Sequence, residues 1–121
     1  MRYMLLIYGE ENTLDEAARV ACFHETARLA HDLDAQGKFC ATSPLQNTAT
    51  AKSVRVREGK RIVTDGPFAE TREQLGGYMI IDADSFDEAV DIAGRIPGGR
   101  WGTVEVREVV ELPFVPEYRA V

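Results

Sequence analysis

The stretch Tyr3-Met4-Leu5-Leu6-Ile7-Tyr8 decides the fold, because it is apolar on both of its alternating faces. Successive side chains of a strand point to opposite faces of a sheet, so apolar residues at every position predict a central strand that is covered on both sides. Tyr78–Ile81 has the same character and predicts a second central strand. We therefore expect a sheet with these two strands in its interior.

Two helices are predicted by capping-box spacing, in which a hydroxyl side chain and a glutamate three residues later satisfy free amides of the first turn. Thr13 to Glu16 begins a helix that runs to about Gly37, and Ser85 to Glu88 begins a second helix that ends at Pro97. The 3.6-residue period predicts their inner faces. These are Leu14, Ala18, Cys22, Leu29 and Leu33 in the first helix, and Phe86, Ala89, Val90, Ala93 and Ile96 in the second.

Four further strands complete the predicted order β-α-β-β-β-β-α-β. Lys38–Thr42 is a short strand, Ser53–Arg57 and Arg61–Thr64 form a hairpin, and a half-buried strand runs from Val104 to about Leu112. Gly76-Gly77 predicts a bulge or a close strand crossing. The order is that of a ferredoxin-like α+β domain with an added hairpin, in which both helices cover one face of the sheet.

The second face of this sheet needs a cover of its own. Soluble monomers rarely expose a contiguous apolar patch larger than a few hundred Å². The sheet of a second protomer would cover it, so we expect a homodimer that forms a dimeric α+β barrel. Such an interface is a natural place for a small-molecule pocket.

Composition limits the classes of function. The chain has 121 residues, of which 45% are hydrophobic and 28% are charged, as expected of one globular domain over 1–121. The net charge of −6 argues against direct binding of nucleic acid. The apolar start is too short to span a membrane and lacks the features of a signal peptide, so we expect a cytoplasmic protein without membrane contact. The spacing of Cys22 and Cys40 favours free thiols, and we expect no cofactor.

One segment of the chain is basic. The ten residues 52–61, which overlap the predicted hairpin, contain five cations: Lys52, Arg55, Arg57, Lys60 and Arg61. Val54 and Val56 alternate with two of them, which is typical of a strand with one wet face. We interpret the cations as a solvated face, because no aromatic residue is interleaved for base stacking.

The stretch from Val63 to Tyr78, VTDGPFAETREQLGGY, resembles the signature of the DGPF-motif, YCII-related family. The resemblance continues through residues 2–8, 49–51, 96–97 and 102–107. It implies a dimeric α+β barrel of ferredoxin-like type. Similar members are often encoded beside, or fused to, extracytoplasmic-function sigma factors. Related proteins of the family have been proposed as enzymes that use a His–Asp pair.

Asp65 and His24 are the candidate catalytic residues. Asp65 ends a strand at a rigid Gly-Pro turn, where it is either a functional carboxylate or the acceptor of an Asx-type turn. We favour the functional carboxylate. His24 lies two positions before Thr26, which occupies the place of the family's histidine, and two positions rotate a side chain by about 200° around a helix. The alternative to a catalytic His24 is that His24 and His31 are both exposed or lie at the rim of a pocket.

Other candidates are ligand-binding residues. Glu70, Arg72 and Gln74 lie in the long loop after the Gly-Pro turn and are suited to a polar ligand, or are surface groups without a task. Trp101 is either a pocket wall or an interface residue. His24-Glu25-Thr26-Ala27-Arg28 resembles a zinc-protease motif, but an arginine stands at the second ligand position, so we expect no metal site.

Two hypotheses of function follow. The favoured one is a dimeric small-molecule-binding or regulatory domain linked to sigma-factor-controlled transcription without direct contact to DNA. The alternative is a small-molecule enzyme that uses Asp65, helped by His24, as general acid or base.

Overall fold

The structure, a computed structural model, describes residues 1–117. In chain order its elements are β1 (Arg2–Gly9), α1 (Glu16–Ala35), β2 (Phe39–Pro44), β3 (Lys52–Arg57), β4 (Lys60–Asp65), β5 (Gln74–Asp82), α2 (Phe86–Ala93) and β6 (Gly102–Glu108). Two short 3₁₀ turns, Thr48–Thr50 and Pro97–Arg100, precede β3 and β6.

Four strands form one antiparallel sheet in the order β2-β5-β1-β6. With the hairpin set aside, this is the strand order of a ferredoxin-like fold, so the predicted α+β class is confirmed. β3 and β4 form a separate two-stranded antiparallel sheet, inserted between β2 and β5 in the chain. The two predicted central strands, β1 and β5, do occupy the interior of the sheet.

The hydrophobic core lies between one face of this sheet and the two helices. Tyr3 and Leu5 of β1 and Met79 and Ile81 of β5 are fully buried there, together with Leu33 of α1. Their partners on α2 are three small or aliphatic residues, Ala89, Ile92 and Ala93. Both helices therefore pack on the same face, and the opposite face carries no helix in the described part of the chain.

The start of α1 differs from the prediction. The N-cap is Asp15, whose carboxylate accepts a hydrogen bond from the Ala18 amide at 2.8 Å, and not Thr13. The Thr13 hydroxyl donates instead to the Glu10 carbonyl at 2.9 Å and closes the preceding turn, where Asn12 has a φ of 65°. A carboxylate at this position also interacts favourably with the positive end of the helix dipole. The predicted end is confirmed, since Gly37 adopts the left-handed conformation with a φ of 73°.

The inner faces of the helices are only partly as predicted. In α1 burial is confined to the C-terminal half, at Leu29, Ala30 and Leu33, while Leu14, Ala18 and Cys22 are half-buried. In α2 the buried residues are Ala89, Ile92 and Ala93, and Ile96, which follows the helix, is buried as well. Phe86 and Val90 were predicted to face inward but are exposed, because the buried face of α2 does not include their side of the helix. Phe86 still contacts Tyr3 edge-on, with ring centroids 5.6 Å apart.

Glycines shape the end of the sheet next to the candidate site. Ile7 pairs with Gly77 but Tyr8 pairs with Leu75, so Gly76 is the extra residue of a bulge, as expected from the Gly-Gly pair. A Cβ on Gly77 would lie 3.0 Å from the Ser43 carbonyl oxygen. On the opposite side of β1, β6 ends at Glu108 rather than near Leu112, because β1 itself begins at Arg2 and offers no further partner.

Neither helix in residues 1–117 is long and apolar enough to cross a membrane.

Gly102 tests the close pairing of β1 and β6. A Cβ on this residue would lie 1.9 Å from the Tyr8 carbonyl oxygen, a backbone atom that cannot move without breaking the sheet register. We expect Gly102→Ala to lower the free energy of unfolding by about 1–3 kcal/mol, as overpacking does, in urea denaturation. Gly99→Ala is the control, because its Cβ would meet the Val104 side chain at an ordinary 3.5 Å. Equal stability of the two variants would contradict this close approach.

Candidate functional site

The sheet face opposite the helices has an apolar centre. Met4, Leu6 and Tyr8 alternate along β1 with the buried core residues, and all three are half-buried. On β5, Tyr78 pairs with Leu6 and Ile80 pairs with Met4, so their side chains continue the same surface. The register of β6 adds a polar border, because its residues 103, 105 and 107 pair with those three positions of β1. We call this surface the open face, and it consists of Met4, Leu6, Tyr8, Tyr78, Ile80, Thr103, Glu105 and Arg107.

Tyr8 and the polar border of the open face form a short array of one hydrogen bond and one ion pair. The Tyr8 hydroxyl donates to Glu105 Oε1 at 3.2 Å, and Arg107 Nη1 lies 3.6 Å from Glu105 Oε2. Burial, and after it the negative charge of Glu105, raise the pKa of the Tyr8 phenol above its ordinary value. The hydroxyl therefore stays protonated at neutral pH. The array offers one neutral donor, one carboxylate and one guanidinium beside an apolar floor.

The loop of residues 66–73, which we call the 66–73 loop, is fastened to the same end of the sheet. Gln74 Nε2, at the start of β5, donates to the carbonyl oxygens of Thr71 at 2.9 Å and of Ala69 at 3.2 Å. Glu73 Oε1 accepts a hydrogen bond from Thr103 Oγ1 of β6 at 2.9 Å. The loop is thus connected to β6 as well as to β5.

Two other predicted ligand-binding residues lie in this loop. Arg72 forms an ion pair with Glu10, which directly follows β1. The Glu70 side chain is exposed. Arg72 and Gln74 therefore both bind other residues of the protein, and their contacts hold the 66–73 loop at the end of β1.

Asp65 occupies the last position of β4, away from the open face. Its side chain is 86% exposed and forms an ion pair with Lys52, the residue opposite it on β3. The turn that follows is held by the backbone instead, since the Gly66 amide donates to the Ala51 carbonyl at 2.8 Å and the Ser53 hydroxyl donates to the Gly66 carbonyl at 2.8 Å. Gly66 has a φ of 95°, which accounts for glycine in the motif.

His24 and Trp101 lie on the helical side of the molecule. His24 is exposed on α1, as its alternative reading expected, and so is His31. The half-exposed Trp101 ring packs under the Arg100 guanidinium at 4.7 Å, and Arg100 Nη2 in turn binds Glu25 Oε2 at 2.7 Å. The structure thus places Asp65 in the hairpin and His24 on α1, and neither belongs to the open face. Within residues 1–117 no three His, Cys, Asp or Glu side chains are grouped so that they could hold a metal ion.

The signature in the sequence and the observed fold agree with a comparison against known families, in which the model of the YCII-related domain matches residues 1–113. The chain belongs to the YCII-related family. An uncharacterised protein of Rhizobium meliloti (strain 1021) is 36% identical to this YCII-related chain over 116 residues, which cover 88% of this chain and 90% of that protein.

A solved structure with the same fold is 5-chloro-2-hydroxyhydroquinone dehydrochlorinase from Burkholderia phenoliruptrix AC1100, in complex with 2,5-dihydroxybenzoquinone. The match has a TM-score of 0.53 and 15% sequence identity, and it covers 91% of the YCII-related chain and 94% of the dehydrochlorinase. At this identity the similarity concerns the fold.

Sequence reasoning did not single out Tyr8, Glu105 or Arg107 as site residues. The period-2 alternation of residues 103–107 was visible and placed Glu105 and Arg107 on the wet face of a strand. The alternation could not predict that Glu105 contacts Tyr8, because only the register of β6 on β1 brings the two side chains together.

The array predicts a change in the titration of Tyr8. Glu105→Gln removes the negative charge that, after burial, raises the pKa of Tyr8, so we expect Tyr8 to ionise at a lower pH than in the parent. Alkaline titration of tyrosinate absorbance measures this, with Tyr8→Phe assigning the signal and Asp91→Asn as a control on an exposed carboxylate of α2. An unchanged titration in Glu105→Gln would show that the charge of Glu105 does not act on the Tyr8 hydroxyl in solution.

Proposed function

We propose that this YCII-related protein is a cytoplasmic, homodimeric small-molecule-binding domain, in which two open faces meet and enclose the ligand. The observation that carries the proposal is the open face itself, where the side chains of Met4, Leu6, Tyr78 and Ile80 lie beside the Tyr8, Glu105 and Arg107 array. Ligand pockets combine mostly apolar walls with a few converging polar groups, and they often lie at interfaces.

The chemistry of the array suggests the class of ligand. Tyr8 and Tyr78 offer aromatic surface, Arg107 complements an anionic oxygen, and Glu105 accepts hydrogen bonds from hydroxyl groups. A small hydroxylated aromatic molecule satisfies all three features. The quinone in the dehydrochlorinase complex belongs to this class and serves here only as one probe.

The dimer and its ligand site are tested together. Size-exclusion chromatography with light scattering should give a particle of twice 13.4 kDa at micromolar concentration. In a thermal-shift panel of hydroxylated aromatic acids, hydroquinones and 2,5-dihydroxybenzoquinone, we expect at least one compound to stabilise the parent, since a ligand that binds only the native state raises its stability. Tyr8→Phe and Glu105→Gln should weaken that shift, whereas Asp91→Asn, which changes an exposed carboxylate of α2 on the other face of the sheet, should not.

Two outcomes would contradict this proposal. A monomer at micromolar concentration would remove the enclosed pocket. A ligand whose binding is indifferent to both open-face variants would place the site elsewhere on the molecule.

The alternative is an enzyme that uses Asp65, with His24, as general acid or base. The contacts of these residues do not favour it, because the exposed Asp65 carboxylate is paired with Lys52 in the hairpin and His24 is exposed on α1. Asp65→Asn separates the two hypotheses. Exposed ion pairs contribute about 0–1 kcal/mol, so we expect a small loss in melting temperature and an unchanged ligand profile. Loss of binding or turnover at equal or higher stability would instead restore the catalytic hypothesis.

A regulatory role extends the proposal on the strength of the family resemblance alone. The ligand-bound dimer would act on sigma-factor-controlled transcription through protein contacts and without touching DNA, in keeping with a net charge of −6. A sigma-factor gene beside the gene for this chain would support regulation, and a neighbouring catabolic cluster would support catalysis.

A further inference from the structure

The β3–β4 hairpin is an exposed arm with apolar residues on both faces. Its two strands pair with each other and with no third strand among residues 1–117. Val54, Val56, Ile62 and Val63 are all exposed, Val56 to 62%. A two-stranded hairpin is marginally stable by itself in water and needs packing against another element. The apolar side chains of this arm are therefore exposed, although a hairpin of this composition needs another element to pack against them.

A groove of about 570 Å³ runs along β3. It is lined by all six residues of that strand together with Pro67 and Phe68. Two valines provide apolar contacts, and Lys52, Arg55 and Arg57 make the groove basic. The Arg55 guanidinium lies 4.9 Å from the centre of the exposed Phe68 ring, which extends the apolar surface past the end of the strand. The groove thus suits a segment that is both apolar and acidic.

The arm and the rest of the chain carry opposite charge. Between Lys52 and Asp65 there are five cations and two carboxylates, a net charge of +3. Because the whole chain has a net charge of −6, the remaining residues carry −9. A second copy of this chain is therefore an electrostatically favourable partner for the arm.

One exposed segment has the required composition. Residues 109–117, Val-Val-Glu-Leu-Pro-Phe-Val-Pro-Glu, combine four exposed apolar side chains with two glutamates and no cation. Phe114 is 81% exposed, and Val110, Leu112 and Val115 are exposed as well. Pro113 and Pro116 lack an amide hydrogen, so side-chain packing rather than a continuous strand ladder would hold this segment. We call it the acidic tail.

We propose that in the homodimer the β3 groove of each protomer binds the acidic tail of the other. This inference rests on the proposed dimer and adds to it a second pair of contacts. Because the two protomers are related by a two-fold axis, the contact between the groove of one and the tail of the other occurs twice in the dimer. Arg55 and Arg57 then face Glu111 and Glu117, and Val54 and Val56 pack against the apolar side chains of the tail. The arm gains its cover, and the tail is held against the partner subunit.

Charge reversal with exchange of partners tests this arrangement. The hairpin variant Arg55→Glu/Arg57→Glu and the tail variant Glu111→Lys/Glu117→Lys each place like charges in both contacts of a homodimer. We expect the dimer dissociation constant of each to rise at least about tenfold, measured by analytical ultracentrifugation. When the two variants are mixed, both contacts of the heterodimer again join opposite charges, so native mass spectrometry should show mainly heterodimers.

The controls separate this inference from the proposed dimer. Arg19→Glu/Arg28→Glu changes the net charge as much as the hairpin variant does but lies on α1, and we expect its dimer to be as stable as the parent's. Circular dichroism and melting curves confirm that each variant is folded. A monomeric parent would overturn the dimer and this inference together. A dimeric parent whose dissociation constant responds to neither reversal, or a mixture without preference for heterodimers, would overturn the exchange of tails and leave the dimer intact.

Zero-length carbodiimide cross-linking gives a readout that needs no variant. In a dimer assembled from isotopically light and heavy protein, Lys52 or Lys60 should link to Glu111 or Glu117 between differently labelled chains, because such a link requires a direct ion pair. Links confined to chains with the same label would place the contact within one protomer and contradict the proposal.

Discussion

The pairing of β1 with strands on both its sides is the constraint from which the candidate site takes its position. β1 lies between β5 and β6 in antiparallel register, so its alternate residues are divided between the core and the open face. Tyr3 and Leu5 contact the helices, which leaves Met4, Leu6 and Tyr8 on the other side. A shift of one residue would exchange the two sets, and the large apolar surface of the core fixes the register against it.

The polar groups of the site depend on the same pairing. Gly102 allows β6 to approach the Tyr8 carbonyl closely, and Glu105, three residues further along β6, accepts a hydrogen bond from the Tyr8 hydroxyl. On the other side of β1, the bulge at Gly76 brings Gln74 level with Gly9, where it holds the 66–73 loop. The close backbone contacts at Gly102 and Gly77 leave no room for a Cβ, and the positions of the polar side chains at this end of the sheet depend on these contacts.

The YCII-related chain divides its charge unevenly between its parts. The ferredoxin-like body is acidic, whereas the β3–β4 arm is basic and exposes its valines. The prediction that these cations form a solvated face agrees with their exposure. The same prediction placed Val54 and Val56 on a dry face, and this part is wrong, because both valines are exposed. Exposed apolar residues within a basic arm indicate an interaction surface more than a solubilising one. The open face and the arm are the two surfaces at which we propose that a second copy binds.

Sequence patterns by themselves determined the α+β class, the order of elements, the two central strands, the second helix cap at Ser85, the turn glycines and the family, because each of these depends on residues close together in the chain. They failed where two nearby residues competed for one role, as Thr13 and Asp15 did for the N-cap of α1. They also failed where the rotation of a helix decides which side chain is buried, as at Phe86 and Val90.

Only the tertiary structure decided the site. Tyr8 and Glu105 are separated by 97 positions and meet through strand register, while Asp65 and His24 belong to elements that the fold keeps on other surfaces. Register and packing are properties of the whole sheet, and no local pattern contains them.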